Sequence, residues 1–217
     1  MKKSLIIKIV IAVVITAVVA VAGFFAIEIF GNPVTKMIIN GKADEYISET
    51  YDFEYEYEKC RYDFKTAVYY ITVTPKGYDD FSFRVCFDSK GNVYDDYFGW
   101  SAGLSYSDKY SEEKANQITE TIGYTPEGFQ VTVSSDAESE LIDLFEKEKR
   151  LDIDVPAPKI DISFDINENE KTAIEAAKEI HQLIGNDFDI NEYHIDVFYG
   201  QEEYDYNTVT VTTEELI

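Results

Sequence analysis

The chain has 217 residues, of which 45% are hydrophobic and 28% are charged. This is enough apolar material for one large or two small domains, and it excludes a disordered chain, a collagen and a small disulfide scaffold. Asp and Glu number 42 against 19 Lys and Arg, so the net charge is -23. Because such a chain repels a phosphate backbone, we predict no nucleic-acid partner.

Near the N-terminus, 19 consecutive residues from Ile9 to Ile27 carry no charge. As an α-helix this segment would extend about 28 Å, which matches the hydrocarbon thickness of a bilayer. Residues 1–31 are therefore predicted to be a cytoplasmic tip and a transmembrane anchor, with the lipid bilayer as the partner of residues 9–27. The basic residues that precede the anchor are Lys2, Lys3 and Lys8. By the positive-inside rule, we expect a single-pass protein of the cell membrane with a cytoplasmic N-terminus and extracytoplasmic C-terminal domains.

A cleaved signal peptide is the alternative, because Ala20-Val21-Ala22 has the small-x-small form that a signal peptidase accepts. Cleavage there would leave the apolar sequence GFFAIEIF as an exposed N-terminus, and the apolar run is long for a signal peptide. The uncleaved anchor is therefore favoured. Residues 32–217 carry a net charge of -25, which is typical of a domain that stays soluble at high density on a membrane.

Residues 32–103 are predicted to form a first α+β domain, with one helix on a four-stranded antiparallel sheet. The helix follows Asn32-Pro33 and covers residues 34–51, where apolar side chains recur at three- and four-residue spacing. A change of phase in the first strand predicts a bulge near Glu58 and Lys59. Alternating apolar residues predict the strands Phe53–Phe64, Ala67–Thr74, Phe81–Phe87 and Val93–Phe98.

Residues 104–217 are predicted to form a second small α+β domain. It begins with a helix from about Ser107 to Ile122, ended by Gly123. The pairs Ser135 with Glu138 and Asn167 with Glu170 have capping-box spacing, which predicts where two later helices start. The remaining predicted elements are a strand at 129–133, a helix at 137–145, a strand at 160–164, and strands near 195–199 and 208–212.

A resemblance to a known family rests on Gly31-Asn32-Pro33, on Lys36, Ala43 and Tyr46 in the helix, and on the hairpin sequence from Asp88 to Asp96. These residues resemble the YfjL-like family of small membrane-anchored proteins from Gram-positive bacteria. The resemblance implies a location at the membrane and carries no activity with it. The plan of a helix on a sheet is also similar to PepSY and cystatin-like modules, which is an analogy of architecture only.

Two patterns could indicate a metal site, and each has a simpler explanation. His181 and His194, with Asp187, Asp189 and Asp196 nearby, could hold zinc or nickel, but a helix-to-strand connection is not a recognised ligand spacing. The run Asp165-x-Asn167-x-Asn169 resembles the start of a calcium loop, but Glu170 stands where that loop needs Gly, and Ala176 where it needs a bidentate Glu. A helix cap explains the run, so we predict no metal and no cofactor.

Acidic pairs at Asp79-Asp80 and Asp95-Asp96 suggest an alternative function, a cell-wall-directed hydrolase that uses two carboxylates. Adjacent residues of a strand point to opposite faces, which weakens this reading. Cys60 and Cys86 fall on the first and third strands, about 9 to 10 Å apart in a simple meander, which predicts free thiols.

Tyrosines are concentrated in and just after the first domain, since 12 of the 17 fall between residues 46 and 110. Their rings suit a sheet face that is only partly covered. The predicted binding surface is an aromatic face that consists of Tyr70, Arg84, Tyr94, Tyr97 and Trp100, with Val68 beside them. We therefore predict a non-catalytic interaction, sensory or envelope-associated module that binds a protein or another component of the cell envelope, and not an enzyme.

Overall fold

A computed structural model describes residues 2–167, 172–185, 187–198 and 206–216, with side chains from Ile7 onward. The chain divides into two compact units, Met1–Phe98 and Gly99–Ile217. Each unit contains both helices and a sheet, so the predicted mixed α+β class is confirmed.

The first element is α1, Lys2–Phe30, which contains the predicted anchor. In the described part of the chain, the helical run that begins with α1 is the one long and apolar enough to cross a membrane, judged by length and composition. The side chains from Ile7 to Phe30 are all exposed.

Helix α2, Pro33–Thr50, begins directly after α1. Asn32 is its N-cap and accepts a hydrogen bond from the Val34 N–H at 2.8 Å, while Pro33 occupies the first turn, as predicted. Between the helices, Gly31 has a φ of +74°. A Cβ at Gly31 would lie 2.6 Å from Tyr62 Cγ and 2.9 Å from Tyr69 Cε1, so the end of α1 sits directly against the first sheet.

The first sheet is an antiparallel meander in which β1 and β2 lie along the same edge of β3. The described strands are β1 Tyr55–Tyr57, β2 Arg61–Asp63, β3 Val68–Pro75, β4 Phe83–Phe87 and β5 Val93–Asp96. Tyr57 pairs with Val73, and Arg61 pairs with Tyr70, so β1–β2 contains one residue more than the stretch of β3 that it faces. That extra residue lies at the predicted bulge near Glu58 and Lys59.

The core of the first unit lies between α2 and one face of this sheet. From α2 it takes Ile39, Ala43 and Ile47, all of which are fully buried. From the sheet it takes the alternating residues of β3 and β4, which are Tyr69, Ile71, Val73, Phe83, Val85 and Phe87. The period of two along the strands places these side chains on one face, the inner face, and the residues between them on the outer face.

The second unit packs helices on one face of a mixed sheet with strand order β6-β7-β8-β9. Its elements are α3 Phe98–Ile122, whose first residue belongs to the first unit, β6 Gln130–Val133, α4 Ser135–Glu148, β7 Ile160–Asn167, α5 Ala173–Ile184, β8 Ile190–Phe198, β9 Tyr206–Thr212 and a short 3₁₀ helix Thr213–Leu216. Strands β7 and β8 are parallel and are connected through α5. Residues of α3, α5 and the sheet form the core.

Helix α3 begins at Phe98 and not near Ser107, so the predicted boundary between residues 103 and 104 falls inside a helix. Two glycines in the first turns of α3 allow close helix packing. A Cβ at Gly99 would lie 2.7 Å from Glu146 Cα, and one at Gly103 would lie 2.9 Å from the Ile142 backbone. Both contacts are with α4, which can approach α3 closely only because these positions lack side chains.

The two predicted helix caps also differ from those observed. The N-cap of α4 is Ser134, without a side-chain cap, and the Glu138 carboxylate instead accepts a hydrogen bond from the Ser107 hydroxyl at 3.1 Å. Thr172 and Glu175 form the capping box of α5. Asn167 ends β7, and Glu170 lies outside the described residues, as does Tyr199 of the predicted strand near 195–199.

Replacing Gly31 with Ala should lower the free energy of unfolding by about 2 kcal/mol, because the new Cβ requires strained backbone and collides with Tyr62 and Tyr69. Gly41 is the matched control, since it lies in α2, where an added Cβ would have nothing within 4 Å. Gly41→Ala should raise stability by about 0.5 to 1 kcal/mol. Chemical denaturation of the full chain in detergent measures both, and equal effects of the two substitutions would contradict the tight junction.

Candidate interaction face of the first sheet

The outer face of the first sheet contains three of the five predicted binding residues. Strand register places Tyr70 opposite Cys86, and Cys86 opposite Asp95, while Arg84 pairs with Thr72 on the same face. Tyr97 continues this row, because its N–H donates to the Arg84 carbonyl at 3.0 Å. Tyr70 is partly exposed, and Arg84, Asp95 and Tyr97 are exposed, whereas Cys86 is buried among them.

Side-chain contacts on this face join Tyr70 to Arg84 and Tyr97 to Asp95. The Arg84 guanidinium carbon lies 4.8 Å from the centre of the Tyr70 ring, which is a cation–π geometry. The Tyr97 side chain hydrogen-bonds to the Asp95 carboxylate, and this bond, with the negative charge of Asp95, raises the pKa of Tyr97. The result is a surface of aromatic rings, a guanidinium group and a carboxylate, which can stack on and hydrogen-bond to a partner.

The other two predicted residues lie elsewhere. Tyr94 is the extra residue of a bulge in β5, since Cys86 pairs with Asp95 and Phe87 pairs with Val93, and it is 71% exposed at the sheet edge. Trp100 is exposed in the first turn of α3 and belongs to the second unit. The sequence suggested a single surface because it placed Trp100 in the exit from the hairpin and not in a helix.

Asp95 and Asp96 do not converge on one site, because they lie on opposite faces of the first sheet. Asp96 points to the inner face, where one carboxylate oxygen accepts hydrogen bonds from the Tyr46 hydroxyl at 2.7 Å and from the Tyr51 hydroxyl. Its other oxygen accepts from the Phe98 N–H at 3.0 Å. Asp96 therefore ties α2 to the start of α3. Asp79 and Asp80 are exposed in the connection from β3 to β4.

The anchor and the whole of this face fall within a recognised family match. Residues 2–97 match the family model of the YfjL-like, N-terminal domain. This supports the resemblance predicted from the sequence for α1 and the first unit. No curated protein and no solved structure matched the chain. The second unit lies beyond the matched residues.

Cys60 and Cys86 are free thiols, both buried. Cys60 precedes β2 and Cys86 lies in β4, so β3 runs between their positions. Burial raises the pKa of Cys60 to about 11 and also raises the pKa of Cys86. Both groups are therefore protonated at neutral pH, which makes them poor nucleophiles and poor metal ligands.

The second unit brings together three potential metal ligands that the sequence did not group. Asp161 of β7 pairs with Glu192 of β8, and His194 lies two residues further along β8 on the same face. The ligand atoms of all three residues lie within 4.8 Å of one another. The three residues face away from the core of the second unit. His181 is on the other side of the sheet, with its Nδ1 3.0 Å from the Tyr193 hydroxyl, so the two histidines do not meet.

Each of these three side chains already has a protein partner. The Asn191 amide donates to Asp161 at 3.0 Å, His194 Nε2 lies 3.3 Å from the Glu192 carboxylate, and His194 Nδ1 lies 3.3 Å from the Thr210 hydroxyl. The trio could supply three ligands to a divalent cation, but contacts among neighbouring polar side chains on a sheet face explain the same arrangement. Polar residues alternating with Ile and Phe along β7 are the sequence signal for this face.

The calcium-like run is also accounted for by local structure. Asp165 lies in β7, where its N–H donates to the Glu127 carbonyl at 2.8 Å, and its carboxylate packs against Gly128. Burial, followed by the charges of Asp196 and Glu127, raises the pKa of Asp165. Asn169 lies outside the described residues.

Replacing Asp96 with Asn should lower the free energy of unfolding by about 2 kcal/mol, because an amide donor would then face the Tyr46 and Tyr51 hydroxyls. Asp95→Asn is the matched control on the exposed outer face and should change stability by less than about 0.5 kcal/mol. Denaturant titration compares the two variants. A larger loss for Asp95→Asn would contradict the assignment of faces.

Proposed function

We propose that the protein is a single-pass, membrane-anchored, extracytoplasmic module of a Gram-positive cell that binds a protein or another envelope component without catalysing a reaction. The observation that carries this proposal is the cluster of Tyr70, Arg84 and Tyr97 on the outer face of the first sheet. Tyr and Arg are the residue types enriched at interaction hot spots. On the inner face of the same sheet, α2 supplies the core, and in this respect the plan is similar to PepSY and cystatin-like modules.

The membrane location is supported by α1 and by the charges around it. Apolar side chains of α1 are exposed along its whole described length, which is costly in water and favourable in lipid. Lys2, Lys3 and Lys8 precede the apolar run, whereas residues 32–217 carry a net charge of -25. This asymmetry favours a cytoplasmic N-terminus and an exterior C-terminal part.

Binding is favoured over catalysis by the way in which acidic groups are distributed. A glycosidase needs two carboxyl groups about 5 to 9 Å apart that face one cleft. Asp95 and Asp96 lie on opposite faces, and Asp96 is engaged by Tyr46 and Tyr51. The outer face of the first sheet presents aromatic and charged side chains, which suits contact with a macromolecule.

The proposed topology predicts the outcome of proteolysis on intact protoplasts. A protease added from outside should digest the region after Phe30, while a tag at the N-terminus should survive, because the three lysines before the anchor remain in the cytoplasm. Immunoblotting for tags at both ends measures this. Survival of the C-terminal tag in unlysed protoplasts, with digestion after lysis, would reverse the orientation.

Replacing Tyr70 with Ala should weaken partner binding by at least about fivefold, because truncation of an interface aromatic ring costs about 1 kcal/mol or more. A photo-crosslinking amino acid at Thr72, which is on the same face, would capture the partner in cells. Tyr78→Ala is the matched control, since Tyr78 is an exposed tyrosine in the turn after β3.

Thermal unfolding should remain nearly unchanged in both variants. Equal crosslinking by Tyr70→Ala and Tyr78→Ala would contradict the proposed face, and so would a large loss of stability in Tyr70→Ala alone. Hydrolysis of cell-wall glycan or peptide by the full chain, abolished by Asp95→Asn, would instead support a hydrolase.

A further inference from the structure

One end of the first sheet adjoins the end of α1, and we call it the anchor-proximal end. Gly31 packs against Tyr62 and Tyr69, and the Asn32 N–H donates to the Tyr69 hydroxyl at 2.7 Å. Because Tyr69 pairs with Phe87, the loop from β2 to β3 and the loop from β4 to β5 turn at this same end. The anchor-proximal end consists of the first turns of α2 together with these two loops, residues 64–67 and 88–92.

Large apolar side chains are exposed at this end. Met37 is 75% exposed and Phe64 is 59% exposed. Val34, also exposed, lies three residues before Met37 on the side of α2 that faces away from the sheet. Ile38, also exposed, lies beside them at the edge of the β4–β5 loop, where its Cγ2 is 3.0 Å from the position that a Cβ at Gly91 would occupy. The first half of α2 is therefore apolar on two sides. On the same outward side, the second half carries charged residues, among them Asp44 and Glu45.

Basic residues accompany these apolar side chains, although the chain as a whole is strongly acidic. They are Lys36 in α2, Lys65 in the first loop and Lys90 in the second. Acidic residues also lie at this end: Asp63 accepts from the Lys65 N–H at 2.9 Å, Asp88 accepts from the Lys90 N–H at 2.8 Å, and Glu28 lies in the last turn of α1.

At the other end of the sheet, acidic residues are concentrated. They include Glu54 before β1 and Asp79 and Asp80 after β3. Acidic residues therefore outnumber Lys76 at the distal end, whereas next to α1 three lysines match Glu28, Asp63 and Asp88 in number and lie beside exposed apolar groups. Lysine beside exposed apolar side chains is the chemistry that binds an anionic lipid surface, because the ammonium groups meet phosphate while the apolar groups enter the acyl boundary.

We propose that the anchor-proximal end lies in the headgroup layer of the bilayer, with Val34, Met37, Ile38 and Phe64 inserted and Lys36, Lys65 and Lys90 against anionic lipid phosphates. This inference rests on the proposed membrane anchor. Tyr62 and Tyr69 then lie near the headgroups, where tyrosine is enriched. The first unit is held on the membrane surface at a defined height, with its acidic end directed away from the lipid.

Single added cysteines test the depth of this end. Met37→Cys and Phe64→Cys report on it, Tyr78→Cys reports on the distal turn, and Val18→Cys reports on α1. Each full-length variant is labelled with a polarity-sensitive fluorophore and placed in nanodiscs of phosphatidylcholine and phosphatidylglycerol. The parent chain, whose Cys60 and Cys86 are buried, is the labelling blank.

A lipid-attached nitroxide just below the headgroups should quench the labels at positions 37 and 64 at least about twofold more than the label at 78, because only the anchor-proximal end reaches that depth. The lysines are tested by Lys65→Glu with Lys90→Glu, against Lys76→Glu as control at the distal end. Each lysine at an anionic surface strengthens association by about fivefold, so the double substitution should reduce quenching at position 64 in anionic nanodiscs and have little effect in neutral ones.

The outcomes separate the possible failures. If the label at 18 is quenched by a nitroxide deep in the bilayer, but the labels at 37 and 64 are as accessible to aqueous iodide as the label at 78, the lipid contact is wrong and the anchor stands. If the label at 18 is not quenched, the anchor itself is wrong. If the labels at 37 and 64 are shielded from aqueous iodide but are not quenched by the lipid-attached nitroxide, a second protein chain covers this end. That result overturns the lipid assignment.

Discussion

The first unit depends on the close approach of the backbone at Gly31 to Tyr62 and Tyr69. At this point an exposed apolar helix ends, and a folded sheet begins to pack against it. Only a residue without a Cβ, in a left-handed conformation, allows that approach. Asn32 adds a cap and a hydrogen bond to Tyr69 in the next residue. The junction therefore determines which end of the first sheet lies next to α1.

Helix α2 covers the inner face of the first sheet. Successive side chains along each strand therefore alternate between this buried face and the exposed outer face. Asp96 becomes an internal acceptor for tyrosine hydroxyls, whereas Asp95 joins the outer face with Tyr97. Arg84 is exposed and Tyr70 is partly exposed for the same reason that Val85 and Ile71 are buried. The surface proposed for binding is thus a direct consequence of the core, and the proposed lipid contact uses the end of the same sheet.

The sheet of the second unit also has one buried apolar face and one polar face, but the polar face carries potential metal ligands in place of aromatic rings. Helices α3 and α5 bury one face of its sheet, which is rich in isoleucine, and leave Asp161, Glu192 and His194 grouped on the other. Asn191 hydrogen-bonds to Asp161, and Thr210 lies within hydrogen-bond distance of His194. Gly99 and Gly103 lie within the continuous helix α3, where they allow α4 to pack closely.

The sequence by itself determined the apolar helix, the alternating strands, the bulge near Glu58 and the start of α2 at Pro33, because each is encoded in neighbouring residues through periodicity, capping and turn chemistry. It also placed Tyr70 and Arg84 together, since strand alternation is a local rule. Only the tertiary structure decided that Trp100 belongs to α3, that β7 pairs in parallel with β8, and that Asp161 meets His194. These outcomes depend on register and close packing between segments distant in the chain, which local patterns do not specify.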